Sequence, residues 1–196
     1  SKDSLSFRLE KILNVLKKIK VKPNTIDIGG SFPSLLEPIL SEQLNIDTFA
    51  LKENLKEVWK FNQKLLNLNI KKIVLEPGTA LASNCFYLCG RVSALNRKDG
   101  EIIATLDVSK LNLGNINSSL IFPFNIIRKK TFDSDKKFNY KICGYTCIEK
   151  DIFCSKVINE ISLGDYFIFK SSGSYSYAFD SFFINPPLEV LDLPKI

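Results

Sequence analysis

Four short stretches of this sequence carry residue types that do chemistry. In Asp27-Ile28-Gly29-Gly30-Ser31-Phe32-Pro33, two glycines and a serine follow an apolar run. With no side chains in the way, such a turn lets backbone N–H groups approach an anion such as phosphate; the same pattern also makes a plain turn. Glu76-Pro77-Gly78-Thr79 follows a second apolar run. A carboxylate at the carboxyl end of a strand stands where α/β barrels keep their chemistry, or it simply faces solvent. Gly144-Tyr145-Thr146-Cys147-Ile148-Glu149-Lys150-Asp151 puts a thiol and carboxylates in one turn, and Gly164-Asp165-Tyr166 precedes Ser172-Gly173-Ser174-Tyr175-Ser176. Taken singly, these last stretches are turn chemistry, and a cysteine between strands packs more often than it reacts.

The elements that must position these residues change character along the chain. Leu5, Leu9, Ile12, Leu13, Leu16 and Ile19 predict a helix over 5–19, stopped by Pro23 and Asn24. Thr25 to Ile28 is a short buried strand. Leu51, Leu55, Val58, Trp59 and Leu65 predict a helix over 48–67, and Ile70 to Leu75 a second buried strand. Continuously apolar strands alternating with helices imply parallel pairing and an α/β layer. After about residue 82 the pattern turns to strands: 85–95, 102–108, 120–127, 138–144 and 166–169, with a hairpin turn at Asp99-Gly100. The fold expected is thus α/β over residues 1–82, then an all-β, antiparallel barrel or sandwich over residues 83–196.

Composition narrows the function classes. With 196 residues, 45% hydrophobic and 24% charged, the chain can bury a real core. No apolar run reaches membrane-spanning length, and no signal peptide is expected. The net charge of +6 comes from scattered, mostly lysine groups, which fits a solvated surface better than a base-reading face, so no nucleic acid is expected. Five cysteines and no histidine fit reduced thiols in the cytoplasm. The two C-x-x-x-C pairs, Cys85/Cys89 and Cys143/Cys147, read as small buried residues, and no metal site is expected. A chain without Met or His reads as a fragment or a processed protein.

Taken together and in order, the motifs resemble one family: the pyridoxal-phosphate (PLP) dependent decarboxylases of ornithine, diaminopimelate and arginine, with the alanine-racemase-like fold. That family carries Asp-Ile-Gly-Gly-Gly-Phe-Pro, Glu-Pro-Gly-Arg, Gly-Pro-Thr-Cys-Glu/Asp-x-x-Asp, Gly-Asp and Gly-Ala-Tyr-Ser/Thr. The matches here run in that order over roughly positions 25–185. The resemblance implies that residues 1–82 are the C-terminal portion of a PLP-binding (β/α) barrel and that residues 83–196 are the β domain.

By the same resemblance, Gly29, Gly30 and Ser31 bind the cofactor phosphate, with Tyr175 nearby. Glu76 faces the pyridine nitrogen and keeps it protonated, so that the ring accepts the electrons left when CO2 departs. Cys147, reaching in from the other subunit of a homodimer, returns a proton to the product. Ile148, Glu149 and Asp151 contact the amino-acid substrate. Thr79 stands where the family has a phosphate-holding Arg, and Ile148 stands where it has an acid. The segment from Asp107 to Ser119 also departs from the family's acidic loop. The anchoring lysine and a His motif lie upstream in the family, so this chain is expected to lack them. The alternative is an inactive homologue that dimerises with an active decarboxylase and regulates it.

Overall fold

Leu9, Leu13 and Leu16 recur at the spacing of one helical face, and in α1 (Leu5–Lys18) they form a buried stripe. The computed structural model describes residues 5–20, 23–30, 38–43, 51–114, 119–130, 136–174, 176 and 183–192. It divides into two compact units, Ser1–Ser83 and Asn84–Ile196.

The first unit continues with β1 (Thr25–Asp27), α2 (Pro38–Gln43), α3 (Leu51–Leu66), β2 (Lys72–Val74) and α4 (Gly78–Ala82). The parallel pairing expected of continuously apolar strands is present: Thr25 aligns with Lys72, Ile26 with Ile73 and Asp27 with Val74. The stripe of α1 packs with Ile28, Phe61, Leu65 and Ile70. Trp59, placed by spacing on the apolar face of α3, is 64% exposed, and Phe61 takes the buried position. The helix ends where Asn69 enters the left-handed region at φ 64°. There Asn69 N–H bonds the Leu66 carbonyl and Ile70 N–H reaches back to the Leu65 carbonyl, a Schellman closure that also packs Ile70 near Leu65.

The second unit holds β3 (Leu88–Lys98), β4 (Glu101–Leu106), β5 (Phe124–Ile127), β6 (Lys137–Cys143), β7 (Ile152–Asn159) and β8 (Tyr166–Phe169). They form one sheet in the order β5-β8-β3-β4-β6-β7. Asp99 and Gly100 both have positive φ, as the two-residue β3–β4 hairpin requires. The first part of β3 pairs with β8 and the rest pairs with β4. Alternation along β4 buries Ile102, Ala104 and Leu106 against Tyr140, Ile142, Phe153, Phe167 and Phe169.

Two expectations need correction. The sheet is mixed, not wholly antiparallel: β4 and β6 run parallel. The long connection between them makes this possible, because it crosses to the far edge of the sheet and lays down β5 beside β8. The pattern also missed β7, whose buried residues Phe153 and Cys154 are adjacent and whose next three residues are exposed. A register shift near Cys143 breaks the period of two there. The sheet curls so that edge strands β5 and β7 line one open cleft of about 640 Å³. Across it the Lys156 ammonium lies 5.3 Å from the centre of the Phe124 ring.

Candidate active site

In the first unit the chemistry collects where β1 and β2 end. Ile28 N–H continues the ladder to the Val74 carbonyl, and Glu76 N–H then bonds the Gly29 carbonyl at 2.9 Å. The glycine turn and Glu76 are therefore joined through their main chains. Gly29 turns with φ 70°, its N–H held by Asp27 Oδ1 at 2.8 Å. A Cβ on Gly30 would come within 2.6 Å of the Glu76 carbonyl oxygen, so this close approach requires glycine.

Glu76 is exposed, and its carboxylate has no partner among the described residues. The Gly30 N–H likewise has none among the described residues. Arg8, in the first turns of α1, donates from Nη1 to the Gly30 carbonyl at 2.9 Å. An unpartnered N–H, a guanidinium and a free carboxylate at one strand end match the two ends of PLP, whose phosphate is anionic and whose ring nitrogen is cationic when protonated. The residues present fit the cofactor. Thr79 sits in α4 with its carbonyl accepting from Ser83 Oγ at 2.7 Å. Ser31 and Tyr175 lie outside the described residues.

In the second unit, residues 144–151 form the loop between β6 and β7. Cys147 is exposed at its turn, Ile148 is half-buried and Glu149 is exposed. Asp151, expected to meet substrate, is instead 2% exposed. Its Oδ1 accepts the Lys110 N–H at 2.7 Å, and its Oδ2 accepts the Thr146 N–H at 3.1 Å and the Thr146 hydroxyl at 2.6 Å. Gly144 N–H bonds the Asp151 carbonyl and Asp151 N–H bonds the Ile148 carbonyl. A Cβ on Gly144 would collide with both carboxylate oxygens. The loop that presents Cys147 is thus wound around one buried carboxylate.

Lys110 opens a 3-10 turn capped reciprocally by Ser109 and Asn112: Ser109 N–H bonds Asn112 Oδ1 at 2.7 Å, and Ser109 Oγ accepts the Leu111 N–H at 3.1 Å. Burial lowers the Lys110 pKa, opposed by the Asp151 carboxylate.

Gly164-Asp165 is a second buried pin. Asp165 is fully buried, and its carboxylate accepts the Lys129 and Ser162 N–H groups, each at 2.8 Å. The serine-rich stretch works locally: Ser172 is buried, its Oγ accepts from Leu88 N–H at 3.3 Å and donates to the Phe169 carbonyl at 3.0 Å.

The five cysteines are free; Cys154 is buried, Cys143 half-buried, and Cys85, Cys89 and Cys147 exposed. The expectation of small buried residues therefore fails for three of them. Cys85 closes a 3-10 turn, and Cys89 points away from the face of β3 that buries Leu88, Gly90 and Val92. Burial pushes the Cys154 thiol up to about 11. Burial also raises Cys143, and it raises Cys89 together with the Asp107 carboxylate. Among the described residues, no group of three or more His, Cys, Asp or Glu could hold a metal ion, and no helix is long and apolar enough to cross a membrane.

Sequence reasoning missed the role of Arg8 and the Lys110 turn. Only the last had a local signal, the capping spacing of Ser109 and Asn112.

Residues 15–173 match the family described as pyridoxal-dependent decarboxylase, C-terminal sheet domain. A curated relative, diaminopimelate decarboxylase of Aquifex aeolicus (strain VF5), is 26% identical over 178 residues, covering 88% of this chain and 39% of its own length. The fold is similar to that of Paramecium bursaria Chlorella virus arginine decarboxylase, with a TM-score of 0.71 at 18% identity over 93% of this chain and 49% of that one. It is equally similar to Vibrio vulnificus lysine/ornithine decarboxylase complexed with cadaverine, with a TM-score of 0.71 at 18% identity over 92% and 48%. The chain spans less than half the length of each of these proteins.

Proposed function

Because this chain belongs to the pyridoxal-dependent decarboxylases through their C-terminal sheet domain, we propose that it forms part of an enzyme removing the α-carboxylate of an amino acid as CO2. The observation that carries this reading is the hydrogen bond from Glu76 N–H to the Gly29 carbonyl. It sets a candidate phosphate turn and a candidate ring-nitrogen carboxylate side by side. PLP, when bound, supplies an electron sink for the charge left on the α-carbon.

The chain's own residues divide the remaining work. Gly29, Gly30 and Ser31 hold the phosphate, and Tyr175 adds a hydroxyl. The Glu76 carboxylate accepts the ring N–H and keeps that nitrogen protonated. The Cys147 thiol delivers a proton to the α-carbon, across the subunit boundary of a homodimer. Ile148 and Glu149 meet the far end of the substrate, while Asp151 fixes the loop that carries them. Residues 1–82 are read as the last part of a (β/α) barrel. The cofactor-anchoring lysine is assigned to no residue of this chain.

The substrate belongs to the diaminopimelate, ornithine or lysine class, and the enzyme works in the cytoplasm. An apolar residue at Ile148 weakens recognition of a cationic distal group there, which leaves Glu149 as the nearby exposed carboxylate. A screen of amino acids for CO2 release by the PLP-loaded full-length protein tests the reading. CO2 from a diamino or basic amino acid supports it. No CO2 from any amino acid, with no protein-bound PLP absorbance that shifts on borohydride treatment, overturns it.

A further inference from the structure

We propose that Arg8 is a ligand of the cofactor phosphate, a role that rests on the reading above and adds a residue to it. The topology brings Arg8 to the right end of the unit. α1 runs opposite to β1, so its first turns return to the strand's carboxyl end, and Arg8 meets Gly30 from 22 residues away. The three lysines of α1 are placed differently. Lys17 and Lys18 lie about 14 Å further along the helix axis at 1.5 Å per residue, and the Lys11 ammonium lies over the Phe7 ring at 4.4 Å. Lys71 and Lys72 stand at the opposite end of β2, where their N–H groups bond the Asn24 carbonyl.

A bound phosphate dianion needs both directed donors and positive charge. The turn offers the Gly30 N–H as a donor, and Arg8 is the cation hydrogen-bonded to that same residue. Its bond to the Gly30 carbonyl occupies one N–H of the guanidinium and fixes the plane of the others. The remaining fork is thereby preorganised for oxyanions.

Comparing two ligands that differ only in the phosphate separates this role from a structural one. Full-length protein stripped of cofactor is titrated with PLP and with pyridoxal, following absorbance and intrinsic fluorescence. Arg8→Gln is expected to weaken PLP binding about tenfold or more and to leave pyridoxal binding unchanged. Arg8→Lys, which keeps the charge and loses the fork, is expected to give a smaller drop in the same ratio and serves if the glutamine variant does not fold. Equal weakening of both ligands would mean that Arg8 merely props the turn, and an unchanged PLP-to-pyridoxal ratio in a folded variant likewise overturns the proposal. Failure of the unaltered protein to bind PLP at all would instead sink the cofactor reading itself, and Arg8's role with it.

Discussion

Asp151 and Lys110 stand 41 residues apart, and the Asp151 Oδ1 accepts the Lys110 backbone N–H at 2.7 Å. That bond ties the Cys147 loop to the capped turn after β4. It is possible because β4 and β6 pair in parallel, so both loops leave the sheet at the same end. Asp151→Ala leaves the Lys110 N–H and two Thr146 donors without their acceptor in a buried site. The expected loss is about 3 kcal/mol, measured by urea unfolding, with faster amide exchange at Lys110 and Thr146. Thr146→Val, which removes one hydroxyl, should cost about 1 kcal/mol. Wild-type exchange rates in both variants would show that the carboxylate does not organise the loop.

Glu76→Ala should reduce turnover of the PLP-loaded full-length protein about a hundredfold. PLP affinity should change far less, because the phosphate contacts remain. Steady-state rates beside a PLP titration check this. Undiminished activity would remove Glu76 from the ring nitrogen.

Cys147→Ala should lower turnover about a hundredfold or divert the reaction to a wrong product. Chromatography of the products alongside CO2 release distinguishes these results. Wild-type turnover with the wild-type product would exclude Cys147 as the proton donor.

The Cys154 thiol is held up at about 11 against an ordinary value of 9.0, chiefly by burial. The folded state therefore keeps a proton that the unfolded chain gives up. This contribution to stability is fully present below pH 9.0 and is lost as the pH rises through about 11. Denaturation midpoints should fall across that window, and Cys154→Ala should flatten the fall. Alkylation followed by peptide mass spectrometry should label Cys85 and Cys147 well before Cys154 at neutral pH.

Much of the local architecture was legible. Leu9, Leu13 and Leu16 announce their helix, and Asp99-Gly100 announces its hairpin, because both signals act within a few residues. What stayed hidden depends on distant partners. The irregular burial of β7 follows from a register shift against β6. The parallel β4–β6 pairing follows from where β5 docks. At the site, the order of motifs identified the Cys147 loop but not the inward turn of Asp151, since a carboxylate's direction is set by donors such as the Lys110 N–H. Arg8 carries no local mark at all; only the return of α1 beside β1 brings it to Gly30.

The length of β3 has a consequence for how the second unit comes apart. Leu88–Arg91 hold β8 and, through it, β5, while Val92–Lys98 hold β4 and, through it, β6 and β7. Counting β3 in both, one half of the sheet has three strands and the other has four, and β3 is the one they share through its two parts. A break in the backbone near the irregularity between Val92 and Ala94 would leave two small sheets with few pairings in common. Backbone pairing between the halves thus runs through a single strand, and what else joins them is their shared core, in which the Phe153 ring of β7 stacks on the Phe169 ring of β8 at 4.5 Å.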